Sequence, residues 1–130
     1  MMAIKKVPEN SFRKDMFKSK RKEVVEIWKG NSYLDIANIV RFAPSACNLQ
    51  PWYVEESLEG LNVYRYKDPG KRGIMPFSMV NYYNKIDIGI FLCFLELCLK
   101  EKNIKYDRKI YADNDDNLID KKLNAIVYLL

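Results

Sequence analysis

The chain has 130 residues, 48% apolar and 30% charged, which suits one globular domain with its own core and excludes a disordered segment. It contains no histidine, which excludes His-based triads, His general bases and His-ligated zinc. The net charge of +5 sits at one end: residues 1–22 hold eight Lys or Arg against Glu9 and Asp15, so that segment is +6 and the remainder about −1.

Residues 1–19 read as a basic arm or linker, with Val7-Pro8 and Glu9-Asn10-Ser11 as turn material, and residues 20–130 as the folded unit. Aromatic residues do not interleave with the arm's cations, so a nucleic-acid partner is disfavoured. Cys47, Cys93 and Cys98 form no Cys-x-x-Cys pair, and an odd count fits a reduced, cytoplasmic chain. The N-terminus has no apolar signal core. The most apolar run, Ile86 to Leu99, carries Asp87 and Glu96 and is too short for a membrane span, so no membrane partner is expected.

In chain order, the pattern predicts a short amphipathic helix over Lys20–Trp28, stopped by Gly30. A second helix follows, with Ser32 as N-cap, Asp35 at N3, and Leu34, Ala37, Ile39, Val40 and Phe42 at helical spacing. Pro44 ends it. After the polar loop 44–52, Trp52–Glu55 and Leu61–Tyr66 read as a hairpin with Gly60 in the connection. Residues 67–82 read as a loop. Asn84 then caps a long helix to about Lys102, with Asp87 at N3 and apolar residues all round, which requires cover on most sides. Cys93 and Cys98 read as core residues of that helix, and Tyr82 and Tyr83 as packing ahead of it, with Lys85 beside them. Residues 107–120 read as polar connection. Asp113, Asp115 and Asp116 lack the Gly and terminal Glu of a calcium loop and read as solvated. Ala125–Leu130 closes Lys122–Leu130 as a buried strand. The fold class is α+β, with helices packed on a small, mainly antiparallel sheet.

The segment Pro44-Ser45-Ala46-Cys47-Asn48-Leu49-Gln50-Pro51-Trp52 carries the chemistry. Two prolines stiffen it, Ser45 and Ala46 are small enough to admit a flat ring against the main chain, and Asn48 and Gln50 offer amide donors and acceptors. Cys47 has no neighbouring base or partner cysteine and reads as a bystander.

This segment resembles the Ala-Pro-Ser-x-x-Asn-x-Gln-Pro-Trp motif of the nitroreductase family, and Asp87-Ile88-Gly89-Ile90 resembles the start of that family's central helix. The resemblance spans roughly residues 18–130 and is strongest to the C-terminal half of a subfamily built of two halves. It implies FMN as cofactor and hydride transfer from NAD(P)H through FMN to a nitroaromatic or quinone-type acceptor. It implies Pro44, Ser45 and Ala46 against the flavin ring, Asn48 and Gln50 among the cofactor-binding residues, with Gln50 also bracing the loop, and Trp52 as structural. It implies a homodimer, or docking of an N-terminal half, through the Ile86–Leu99 helix. Arg13, Arg21 and Arg41 are not spaced as the subfamily's Arg-x-Ser-x-Arg phosphate site, and Gly-Leu-Gly is absent. The alternative is therefore a non-catalytic remnant or dimerising module that keeps the fold without the flavin.

Overall fold

The fold was analysed in a computed structural model that describes residues 5–11, 19–68, 70, 73–111 and 120–130. Helix α1 (Val24–Ile27) runs into a two-residue strand β1 (Trp28–Lys29), and helix α2 (Leu34–Val40) follows. After a single turn of 3-10 helix (Ala46–Asn48) come the strands β2 (Trp52–Ser57) and β3 (Gly60–Tyr66). Helix α3 (Phe77–Glu101) leads to β4 (Tyr106–Ile110) and β5 (Lys121–Leu129). The five strands form one mixed sheet in the order β1-β2-β3-β5-β4, in which only β1 and β2 run parallel. The fold is α+β.

Strand alternation puts one face of the sheet inside. Trp52 and Val54 from β2, Leu61 and Val63 from β3, and Ala125 and Val127 from β5 are fully buried. They form one core with Ile36, Ala37 and Val40 of α2 and with Ile88, Phe91, Leu92, Leu95 and Leu99 of α3. The Trp52 and Phe91 rings stack at 4.9 Å, joining the sheet to the long helix. The opposite face is half-buried and aromatic: Lys121 Nζ lies 4.1 Å over Tyr53 and 4.7 Å over Tyr64, and pairs with Glu55 at 2.8 Å.

Two glycines are fixed by the space around them. Gly60 opens β3 at φ 147°, and a Cβ there would lie 2.0 Å from the Val127 carbonyl oxygen. Gly30 has φ 139°, and a Cβ would fall 2.2 Å from Glu56 Cδ. Both backbones are conformations that side chains rarely adopt.

Several expectations are corrected. The Lys20–Trp28 helix is only the four residues of α1, because Trp28 leaves it to pair with Val54 in β1. Tyr33, not Ser32, stands at the N-cap of α2, without a side-chain cap bond, and Asp35 turns to its neighbour, Oδ1 accepting from the Ile36 N–H at 2.8 Å. Asn84 caps nothing: α3 starts at Phe77 behind Pro76, so Asn84 and Asp87 are buried inside it. Residues 106–110 form an edge strand rather than loop, since charged side chains are tolerated where one face and one edge meet solvent. Cys93 is exposed, because α3 leaves one face uncovered, whereas Cys98 is half-buried and packs against the core as expected. Asp113, Asp115 and Asp116 lie outside the described residues.

That uncovered face is a stripe. At about 100° per residue, Met79, Tyr82, Tyr83, Ile86, Phe94 and Leu97 fall on one side of α3, and all are exposed. Tyr82 and Tyr83 pack edge-on against each other at 5.3 Å rather than into the core. No helix among the described residues is long and apolar enough to cross a membrane.

Candidate functional site

The loop between α2 and β2 is held from three sides. From within, it is a single 3-10 turn, Ala46–Asn48, with left-handed residues in and just after it: Cys47, Asn48 and Gln50 have φ of 50°, 57° and 50°. Such conformations cost on the order of 1–3 kcal/mol each and persist where the surroundings impose them. The Ser45 hydroxyl accepts from the Gln50 N–H at 2.9 Å, closing the turn on itself.

From below, α3 reaches up. Asp87 Oδ1 accepts from the Ala46 N–H at 3.0 Å, and Ala46 packs on Leu49, Met75 and Val80. Asp87 is 2% exposed, and its Oδ2 has no hydrogen-bond partner among the described residues. Burial pushes its carboxyl above the ordinary value, and the Ala46 N–H offsets only part of that.

From the side, a strap over Lys20–Lys22 is stitched to the loop. Arg21 donates to Asn48 Oδ1 at 2.9 Å, and Asn48 Nδ2 donates to the Lys20 carbonyl at 3.1 Å. The Lys22 N–H donates to Gln50 Oε1 at 2.8 Å, and Lys22 Nζ to the Gln50 carbonyl at 3.2 Å. Gln50 Nε2 donates to the Asn48 carbonyl at 3.2 Å. Arg41 donates to the Lys22 carbonyl at 3.1 Å from the far side of the strap. Burial lowers the Lys22 ammonium's pKa, against the opposing pull of Glu26.

The structure thus brings the five sequence-predicted residues onto one loop but presents them differently. Pro44 is exposed, and Ser45 and Ala46 are half-buried, giving a small-residue rim at the surface. Asn48 is exposed, its amide shared with the strap. Gln50 is 5% exposed, and both its amide atoms are taken up within the chain. Trp52 anchors the following strand in the core. Cys47 is exposed.

Sequence reading missed two residues around this loop. Arg21 and Lys22 lie next to it only because the strap folds back, which no local pattern signals. Glu56 was missed as well: its carboxylate accepts from Trp28 Nε1 at 2.8 Å, Ser32 N–H at 3.0 Å and Tyr33 N–H at 3.1 Å, fixing the entry to α2. No group of three Cys, Asp or Glu among the described residues is placed to hold a metal ion.

For a flat ring cofactor, the fit is one-sided. The rim of Pro44, Ser45 and Ala46 suits contact with one ring face, and Asn48 is exposed with its Oδ1 and Nδ2 each bonded to the strap. Gln50 is buried, and its Oε1 and Nε2 are each already bonded within the chain.

A helix-covered α+β sheet with this loop seated on a long central helix defines the class. The chain belongs to the family described as "Putative TM nitroreductase", whose model matches residues 1–99, from the basic arm through α3. Comparison with curated proteins and with solved structures found no match.

Proposed function

We propose that this chain is a nitroreductase-type oxidoreductase that supplies one side of an FMN site. The opposite side would come from a second copy of the chain, or from an N-terminal half, packed on the apolar stripe of α3. The observation that carries this reading is the locked loop: three left-handed residues, the Asp87 bond and the strap together hold a small-residue rim open at the surface. Maintaining that conformation is costly, and preorganisation for a flat ligand accounts for it.

In this reading Pro44, Ser45 and Ala46 exclude water from one ring face, Asn48 hydrogen-bonds the cofactor edge, and Gln50 braces the loop. Bound FMN supplies the hydride acceptance from NAD(P)H and the onward reduction of a nitroaromatic or quinone-type acceptor. The basic strap at Arg21 and Lys22 gives the rim a positive neighbourhood suited to an anionic cofactor.

A second reading is a dimerising module without flavin. It is supported by the internal satisfaction of the Gln50 amide and by the absence of Arg-x-Ser-x-Arg. Titration with FMN, followed by flavin fluorescence at protein concentrations that populate a dimer, separates the two. Saturable quenching in the micromolar range, weakened in Asn48→Ala, is the expected result. A flat titration overturns the flavin reading and leaves the module.

A further inference from the structure

Two neighbouring side chains inside α3 each have one buried atom without a partner. Asn84 is fully buried and Asp87 is 2% exposed. Three positions apart on a helix, they lie side by side on one face. The Asn84 amide is oriented by its Nδ2, which donates to the Tyr66 carbonyl at 3.4 Å. The Asp87 carboxyl is oriented by its Oδ1, which accepts from the Ala46 N–H at 3.0 Å. The atoms left over are Asn84 Oδ1 and Asp87 Oδ2, both buried and without a hydrogen-bond partner among the described residues.

The pair holds the same loop near its two ends. Asp87 takes the Ala46 N–H near the start, while the Tyr66 N–H donates to the Pro51 carbonyl at the end at 2.7 Å. An amide oxygen and a carboxylate oxygen are both acceptors, so together they leave two buried groups unmatched. One proton on Asp87 Oδ2 removes both faults, because the carboxyl then donates and Asn84 Oδ1 accepts.

No charge among the described residues stands in for that proton: burial and the Ala46 N–H alone bear on the Asp87 carboxyl. On β3, Arg65 donates to Asn81 at 2.6 Å. On α2 and just after it, Asp35 pairs with Lys102, and Arg41 with Glu23 and the Lys22 carbonyl. The strap's Arg21 and Lys22 bond to Asn48 and Gln50. Cys47 of the loop and Lys85 of α3 are exposed.

We infer that Asp87 is seated in the fold as a neutral carboxyl, with Oδ2–H donating to Asn84 Oδ1 and Oδ1 accepting from the Ala46 N–H, and that this proton latches the loop to α3. Asp87 is thus a positioning residue for the rim of Pro44, Ser45 and Ala46. Burial favours the uncharged carboxyl and acts in the same direction. When the proton leaves, a carboxylate faces an amide oxygen in a dry interior, and hydrating it requires the loop to part from α3. The inference concerns the loop itself and is tested without FMN, so its failure and that of the flavin reading are separate results.

The test is an NMR pH titration of the full chain labelled with ¹³C and ¹⁵N. It follows the Asp87 carboxyl carbon, the Asn84 side-chain carbonyl carbon and the Ala46 amide. Asp87 is expected to ionise at higher pH than the aspartates of the same chain unfolded in urea, and the Asn84 and Ala46 signals to shift in that same step. In Asp87→Asn, the new Nδ2–H donates to Asn84 Oδ1 as the carboxyl proton does. The step at Ala46 is therefore expected to vanish, with the loop signals fixed near their wild-type low-pH positions. Should that variant fail to fold, the wild-type titration decides alone. The inference is overturned if Asp87 ionises as in the unfolded chain, if Asn84 or Ala46 stays fixed through its step, or if folded Asp87→Asn keeps the step. An ionised Asp87 bridged to Asn84 by water gives the first or second of those results.

Discussion

Around residues 44–50 the polar side chains find partners within the chain, whereas along the outer side of α3 large apolar side chains stand exposed. The two regions sit on the same helix: Asp87 ties α3 to the loop, while Ile86 beside it faces out. Hydrogen bonds are directional and short, so a strap of three residues suffices to complete the loop. Apolar surface is completed only by area, and on the reading proposed above the exposed stripe is completed by a second copy or an N-terminal half. The loop is locally closed, and the helix is not.

The strongest way to break the closed region is to remove its anchor. Trp52→Ala deletes a fully buried ring stacked on Phe91 and is expected to destabilise the fold by about 3–5 kcal/mol in urea unfolding. A loss below about 1 kcal/mol would mean the loop is not anchored through the core.

The next effect is electrostatic and has opposite signs at two carboxylates. At Glu56, burial alone pushes the pKa up, but the Trp28, Ser32 and Tyr33 donors outweigh it and hold the carboxyl below its ordinary value. Its contribution is therefore present above the unfolded pKa and is lost as pH falls through the folded one. Glu56→Gln is expected to cost about 1–3 kcal/mol at neutral pH and to flatten the acid side of the stability profile.

Asp87 is the reverse. Burial holds its folded pKa above the unfolded value, so stability falls as pH rises from the ordinary carboxylate value through the raised one. Asp87→Asn keeps an acceptor for the Ala46 N–H and is expected to gain on the wild type across that window. Urea midpoints measured over a pH series check both signs, and parallel profiles for wild type and variants would contradict them.

The smallest effect on folding, and the sharpest on the comparison, belongs to the stripe. Leu97 is 57% exposed, so Leu97→Lys should leave the urea midpoint nearly unchanged while reducing the mass measured by light scattering from a dimer to a monomer. A wild-type chain that is already monomeric at high concentration would refute self-association through the stripe and leave the N-terminal half as its cover.

Much of this fold is legible in the sequence where local chemistry decides. The β2–β3 hairpin falls where the alternation and Gly60 place it, and β5 begins within a residue of Lys122. Asn84 misleads because an asparagine before an apolar run has the type of a cap, yet its amide reaches back to the Tyr66 carbonyl from inside α3. β4 hides because Asp107, Arg108 and Lys109 are the charges an edge strand carries. At the site, the loop residues are legible as a motif. Their partners are not: the Asp87–Ala46 bond spans 41 positions and the Lys22–Gln50 bond 28. The register shift that leaves Asn124 without a partner on β3 depends on a strand far away in sequence and leaves no local mark.

The strand order carries a consequence for how the chain assembles. β5 comes last of the five in sequence yet lies between β3 and β4. Until residues 121–129 are available, β3 presents a bare edge and β4 has no neighbour among the other strands. During synthesis the hairpin and α3 emerge first and must wait with that edge open, a state prone to pairing with other chains. The pairing that ends the wait joins Gly60 to Tyr128, a long-range closure of the kind that slows folding. The interval before β5 docks is therefore when this chain presents its longest unpaired strand edge.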